Sequence, residues 1–172
     1  MKINFKNLLI FIIPIFILAV FYFGLKNEQQ YNTKNLVGKR LNNFEIKNLN
    51  NNEKISHNDL KSNSFTLINF WATWCAPCRK EHKYLLTLKN NHDLKILGVN
   101  FKDQRDKALK YLSKYGNPYR YLAEDKTGKS SVDFGIYGIP ESILIDKNLR
   151  VVMKFIGPIN NSDLKKIVET IK

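Results

Sequence analysis

Cys75 and Cys78 are the only cysteines in the chain, and they stand together in the stretch WATWCAPCRKEH at residues 71–82. Two thiols at this spacing could be a structural staple, half of a metal site, a haem attachment point or a redox couple. A staple closing so short a loop contributes only about 2 kcal/mol, against about 3 kcal/mol for a 15-residue loop. Structural zinc requires four Cys or His ligands, and the sequence adds only His57, His82 and His92. His57 and His92 lack ligand spacing, and with His82 a closed site would still want a fourth ligand. Covalent haem attachment requires C-x-x-C-H, and Arg79 occupies the histidine position. The redox couple is the reading that uses the surroundings. A helix beginning at the pair would place Cys75 at its N-terminus, where unpaired N–H groups and the helix dipole favour a thiolate. Cys78 would lie one turn inside, within reach for an i, i+3 disulfide. Pro77 suits a first turn because it needs no N–H partner there. Cys75 is then the nucleophile and Cys78 the resolving thiol. Trp71 and Trp74 read equally as core residues, and Trp74 alternatively flanks the reactive sulfur.

The elements needed to position this pair are legible on either side of it. FTLINFWA is a continuous β-prone run of the kind buried on both faces of a sheet, and it leads directly into the cysteines. The helix after them clusters Leu85, Leu86 and Leu88 and stops near Asn90 and Asn91. KILGVNF reads as a second buried strand. DQRDKALKYLSKYGNPY reads as a helix capped by Asp103 and stopped by Gly116 and Pro118. ESILID and VVMKFIG, joined by KNLR, predict an antiparallel hairpin. SDLKKIVETIK predicts a final helix with Ser162 as N-cap and Leu164, Ile167, Val168 and Ile171 on one face. Upstream, LNNFEI offers a short edge strand and SHNDLK a one-turn helix capped by Ser56 with Asp59 completing a capping box. The order β-α-β-α followed by β-β-α implies an α/β domain with a mixed sheet and helices on both faces.

The N-terminus differs in kind. Lys2 and Lys6 precede the apolar run Leu8–Leu25, which as a helix would be roughly 27 Å long, close to the hydrocarbon thickness of a bilayer. The expectation is a cytoplasmic segment at 1–7, an uncleaved transmembrane signal anchor at 8–25, a polar linker at 26–36 and a globular domain at 37–172. The basic N-terminus places that domain on the outer, oxidising side of the membrane. The 172-residue chain carries a net charge of +13, but its lysines are dispersed rather than grouped with aromatics. That pattern describes a solvated surface and argues against nucleic-acid binding.

WATWCAPC between a strand and a helix resembles the active site of the thioredoxin superfamily. The later GIYGIPE resembles its second hallmark, a loop ending in a cis-proline, here Pro140 after Ile139. The resemblance implies a thioredoxin-like fold in which this loop faces the active cysteine and the Ile139 backbone pairs with an extended substrate. As residues alone, Pro140 could instead begin an ordinary strand. NFWATWCAPCRKEH, GVNFKDQRDKALKYLSKYGNPY and GIYGIPESILID together are similar to the DsbE/CcmG thiol:disulfide interchange proteins of cytochrome c maturation. That family consists of membrane-anchored periplasmic reductases, and the similarity runs from about Val37 to the C-terminus.

What the resemblance implies is a periplasmic protein-disulfide reductase held in the bacterial inner membrane. Its clients would be apocytochrome c or an accessory protein presenting it, and a transmembrane thiol reductant would supply electrons. It would act as a monomer without a cofactor, since two sulfurs carry both electrons. Glu81 and Glu141 match acids that the family places in an acidic active site. A partly buried carboxylate beside Cys75 disfavours the thiolate and makes the couple more reducing. Either acid could instead be a solvated residue paired with a nearby Lys or Arg. A related anchored reductase for copper-site assembly or thiol homeostasis, or a non-enzymatic haem or thiol chaperone, remains an alternative. The 101–119 stretch either shapes partner choice or simply covers the core.

Overall fold

The computed structural model describes residues 5–26, 36–51 and 53–172, and the first helix in side-chain detail only from Ile12 to Tyr22. That helix, α1 (Phe5–Lys26), carries Pro14 within it and belongs to a unit separate from the rest of the chain. Among the described residues no helix is long and apolar enough to cross a membrane, so the structure does not support the anchor expected at 8–25 as a span. Most of the expected linker, and residues 1–4 of the expected cytoplasmic segment, lie outside the described residues.

Residues 33–172 form the second unit, built on a seven-stranded sheet of order β2-β1-β5-β4-β3-β6-β7. Its strands are β1 (Glu45–Asn48), β2 (Lys54–Ser56), β3 (Phe65–Trp71), β4 (Leu94–Phe101), β5 (Tyr121–Asp125), β6 (Glu141–Asp146) and β7 (Val151–Ile156). β3, β4 and β5 run parallel at the centre, while β6, β7, β1 and β2 join antiparallel. The expected mixed α/β architecture is present, with β2 and β5 added. β5 escapes a sequence reading because YLAED is short and ends in two acids, although Leu122 to Asp125 are all buried. The strand expected at the edge, β1, lies instead between β2 and β5, with β2 at the edge. It begins at Glu45 rather than Leu41, because it is set by pairing with β2.

Strand alternation divides the interior into two faces. On one face Leu67, Trp71 and Leu144 pack with Leu85 and Leu88 of α3 (Ala76–Leu88), Ala108 and Leu112 of α4 (Arg105–Tyr115), and Ile167 of α6 (Asn161–Thr170). On the other, Ile68, Phe70, Ile143 and Ile145 pack with Leu60 of α2 (His57–Leu60) and with Phe134 and Ile136, just after α5 (Lys129–Asp133). Both cysteines belong to the first face.

Three local expectations are settled at the helix ends. Ser56 and Asp59 form the capping box of α2 as predicted. The cap of α6 is Asn160 rather than Ser162: its side chain accepts from the Ser162 and Asp163 N–H groups, and Asp163 closes a capping box. Gln104, without a side-chain cap bond, is the N-cap of α4. Asp103 is occupied elsewhere.

Candidate active site

β3 ends at Trp71, and after a short turn the chain enters α3 with Cys75 as its N-cap and a proline in the first turn. Cys75 and Cys78 form a disulfide with Cα atoms 5.3 Å apart. Exposure does not distinguish the two, at 4% and 5%. Helical position does, because the Cys78 N–H donates to Cys75 Sγ at 3.2 Å. In the reduced state the same N–H, with the helix dipole behind it, stabilises negative charge on Cys75.

The turn before the pair is clamped by Asp103. Its carboxylate accepts from the Thr73 N–H at 2.6 Å and from Thr73 Oγ1 at 2.9 Å, and it also accepts from the Asn100 side-chain amide at 3.1 Å. Trp74 is 56% exposed, and its indole Nε1 donates to the Lys102 carbonyl. Trp74 is therefore a surface aromatic beside the disulfide, whereas Trp71 is core.

The Ile139–Pro140 peptide bond is cis. β6 lies antiparallel to β3 with Glu141 opposite Phe70, so the loop ending at Pro140 emerges beside the end of β3 that leads to Cys75. Register therefore brings the two sequence hallmarks to one end of the sheet. Ile139 is half-buried there and Pro140 buried.

The two acids part company. Glu81 projects from α3 into the first face and is wholly buried. Its Oε1 accepts from Asn69 Nδ2 at 2.8 Å and its Oε2 from the Ile159 N–H at 2.8 Å. Burial pushes its carboxyl up to about 7, against the two hydrogen bonds that pull it down. It is not a solvated residue paired with a cation. Asn69 also donates to Ser142 Oγ at 3.0 Å and accepts from the Tyr119 hydroxyl at 3.0 Å. Tyr119 reaches it by lying over Gly98, where a Cβ would meet the ring at 2.6 Å. Burial raises the Tyr119 phenol well above its usual range, so it remains a donor.

Glu141 pairs with Phe70 and so points to the opposite face of the sheet. Its Oε1 accepts from the Tyr137 and Gly138 N–H groups at 3.1 and 3.0 Å, and its Oε2 meets Lys154 Nζ at 2.9 Å. Of the three histidines, His82 is buried on α3 with its Nε2 3.0 Å from the Gly116 carbonyl, and burial lowers its pKa. No group of His, Cys, Asp and Glu that could hold a metal occurs among the described residues.

Sequence reasoning passed over Asn69, Tyr119, Ser142 and Lys154, and gave Asp103 the role of a helix cap rather than a clamp on Thr73. The available signals were polar residues inside apolar strand runs (Asn69 in FTLINFW, Ser142 in ESILID, Lys154 in VVMKFI) and a glycine inside β4.

The family model for Redoxin matches residues 36–171. The thiol:disulfide interchange protein HelX of Rhodobacter capsulatus is 33% identical over 162 residues, covering 91% of this chain and 92% of that protein. The chain belongs to the Redoxin family, among the DsbE-type thiol:disulfide interchange proteins. The corresponding protein CycY of Rhizobium leguminosarum bv. viciae is 45% identical over 101 residues, which are 59% of this chain and just over half (54%) of CycY. In fold, the chain is similar to a DsbE-type protein from Chlorobium tepidum, with a TM-score of 0.66 at 24% identity over 78% of this chain and 94% of that one. As a member of the family, the protein is a thiol:disulfide oxidoreductase, and its two cysteines form a disulfide at the start of α3.

Proposed function

We propose that this protein is a membrane-attached periplasmic reductase that opens the disulfide of apocytochrome c, or of an accessory protein presenting it, before haem attachment. The observation that carries the reductive direction is Glu81, a carboxyl wholly buried on the cysteine face with no cation in its hydrogen-bonding shell. Once ionised, it opposes a thiolate nearby and so favours the disulfide over the dithiol. The family relationship supports the client class. The apolar run Leu8–Leu25 behind a basic N-terminus supports attachment to the inner membrane, with residues 37–172 outside it.

In the proposed cycle the Cys75 thiolate attacks one sulfur of the client disulfide, whose S–S bond breaks. The second client sulfur leaves as a thiolate, and Cys75 is joined to the client in a mixed disulfide. Cys78 gives up its proton to a departing client sulfur and attacks Cys75 Sγ. The client leaves with both sulfurs reduced and the protein retains the Cys75–Cys78 disulfide. Two electrons have passed to the client, and a second dithiol protein in the membrane restores them. The two sulfurs suffice, without a further cofactor. Ile139, beside Pro140, offers its backbone to the extended client, and the exposed Trp74 flanks the entry.

The test is a Cys78→Ser protein, which retains the attacker and lacks the resolving thiol. It is expected to accumulate a mixed disulfide through Cys75 with a C-x-x-C-H protein or its presenting partner. Recovery of unrelated thiol proteins alone would overturn the client assignment.

A further inference from the structure

β7 contributes a lysine where an apolar residue would be the ordinary choice. Lys154 stands opposite Ile143 in the β6–β7 ladder, and Glu141 is two residues before Ile143 on the same face. The pair therefore meets diagonally across two strands, within reach of a long side chain. The Lys154 side chain is completely buried (0% exposed) and that of Glu141 nearly so (5%). Neither is a surface charge that found a partner by chance.

Their remaining bonds all go to one place. Lys154 Nζ donates to the Gly135 carbonyl at 2.7 Å, while Glu141 Oε1 takes the Tyr137 and Gly138 N–H groups. The two side chains thus hold three backbone groups of the Gly135–Gly138 segment, immediately before Ile139 and Pro140. At the other flank the Gly157 N–H donates to the Pro140 carbonyl at 3.0 Å. Ile136 anchors this segment in the second face, but Gly135 has φ +70 and Gly138 is exposed, so the backbone leading from Ile136 to Ile139 takes its buried polar contacts from Glu141 and Lys154. Polar groups buried under a loop specify its conformation only while every partner is present.

We infer that Lys154 and Glu141 are positioning residues for client binding: a buried, mutually neutralising pair that sets the backbone of the Ile139–Pro140 loop against which the client strand lies. Glu141 then acts on affinity for the peptide and does not tune the cysteines. Its side chain lies across the sheet from them, and its charge is offset at 2.9 Å. This rests on the proposed reading of the chain as a reductase of peptide disulfides.

The experiment compares Lys154→Met, Lys154→Arg, Glu141→Gln and the double Lys154→Met/Glu141→Gln protein in the full chain. The probes are a short C-x-x-C-H peptide disulfide and the redox equilibrium with glutathione. Lys154→Met leaves a buried carboxylate unpaired and is expected to raise KM for the peptide about tenfold with kcat within twofold. The glutathione equilibrium should stay within twofold. Lys154→Arg should restore KM, because it renews both the charge and the bond to Gly135. The double variant should recover most of the loss, since the glutamine oxygen can still accept from Tyr137 and Gly138. Amide exchange at Tyr137 and Gly138 should quicken in Lys154→Met and slow again in Lys154→Arg. An unchanged KM, a loss of kcat equal to the change in KM, or a tenfold shift of the glutathione equilibrium in Glu141→Gln would each overturn the inference. If the unmodified protein reduces no peptide disulfide, the reductase reading fails, and amide exchange still decides whether the pair holds the loop.

Discussion

Glu81 follows Cys78 by one helical turn, and Glu141 follows Pro140 directly; in sequence the two acids are equivalent neighbours of the site. In the fold they occupy opposite faces of one sheet. Glu81 lies beneath the cysteine helix among neutral donors, Asn69 and the Ile159 N–H. Glu141 lies across the sheet with a lysine against it. The first is a group that titrates near neutral pH because burial is not answered by a counter-charge. The second is half of an ion pair whose hydrogen bonds organise a loop. A carboxylate next to a reactive residue becomes part of its electrostatics only if strand parity and helical phase turn it that way. What surrounds it decides whether it carries a proton or holds a backbone.

The sharpest way to break this contrast is to add a second acid on the cysteine face. Asn69→Asp replaces the amide that donates to both Glu81 and Ser142 by a group that repels Glu81 when both are ionised. A loss of about 4 kcal/mol in urea unfolding is expected at pH 8. The loss should be much smaller at pH 5, where one proton can be shared between the two carboxyls.

Next comes Glu81 itself. Its folded pKa of about 7 lies above the ordinary 4.5, so the folded state holds a proton that the unfolded chain has already released between these values. Its contribution to stability is therefore greatest below pH 4.5 and falls as pH rises towards 7. Over that window the loss amounts to about 3 kcal/mol. Glu81→Gln should remove this slope from the oxidised protein. It should also shift the glutathione equilibrium towards the dithiol by up to about tenfold at pH 8, and far less at pH 5. A slope that survives the substitution would show that another group causes it.

Smaller effects should come from the shell around Asn69. Tyr119→Phe leaves the Asn69 carbonyl oxygen without its donor and should cost about 2 kcal/mol. Ser142→Ala removes one acceptor of the Asn69 amide and should cost about 1 kcal/mol. Both losses should appear in unfolding of the oxidised protein, leaving amide exchange at Tyr137 and Gly138 as it was. If Ser142→Ala loosened that loop as much as Lys154→Met, the two faces would not be independent.

Much of this arrangement is carried by local chemistry and can be read along the chain. A thiol at a helix start, a proline in the first turn and an apolar strand before them place Cys75 and Cys78 without further information. The loop at Pro140 is legible only through the family resemblance, and the burial of Glu81 only as one of two readings. What escapes is set by pairing at a distance. Asp103 has the composition of a helix cap, but it is drawn to Thr73, thirty residues away, leaving Gln104 at the helix start. Asn160 takes the role expected of Ser162 because the backbone turns two residues earlier. Lys154 looks like an outward residue of an edge strand, and only the β6–β7 register turns it inward beneath Glu141. β5 is recognisable chiefly from its neighbours β4 and β1.

The excursion between β4 and β5 ties the surroundings of the disulfide to a distant part of the chain. Tyr119 comes just before β5, after the whole of α4, and its ring fills the space that Gly98 leaves open. Until that excursion has closed over the sheet, Asn69 lacks its third partner and His82 lacks the Gly116 carbonyl. The acid beneath the disulfide is thus enclosed by a tyrosine forty-four residues downstream of Cys75.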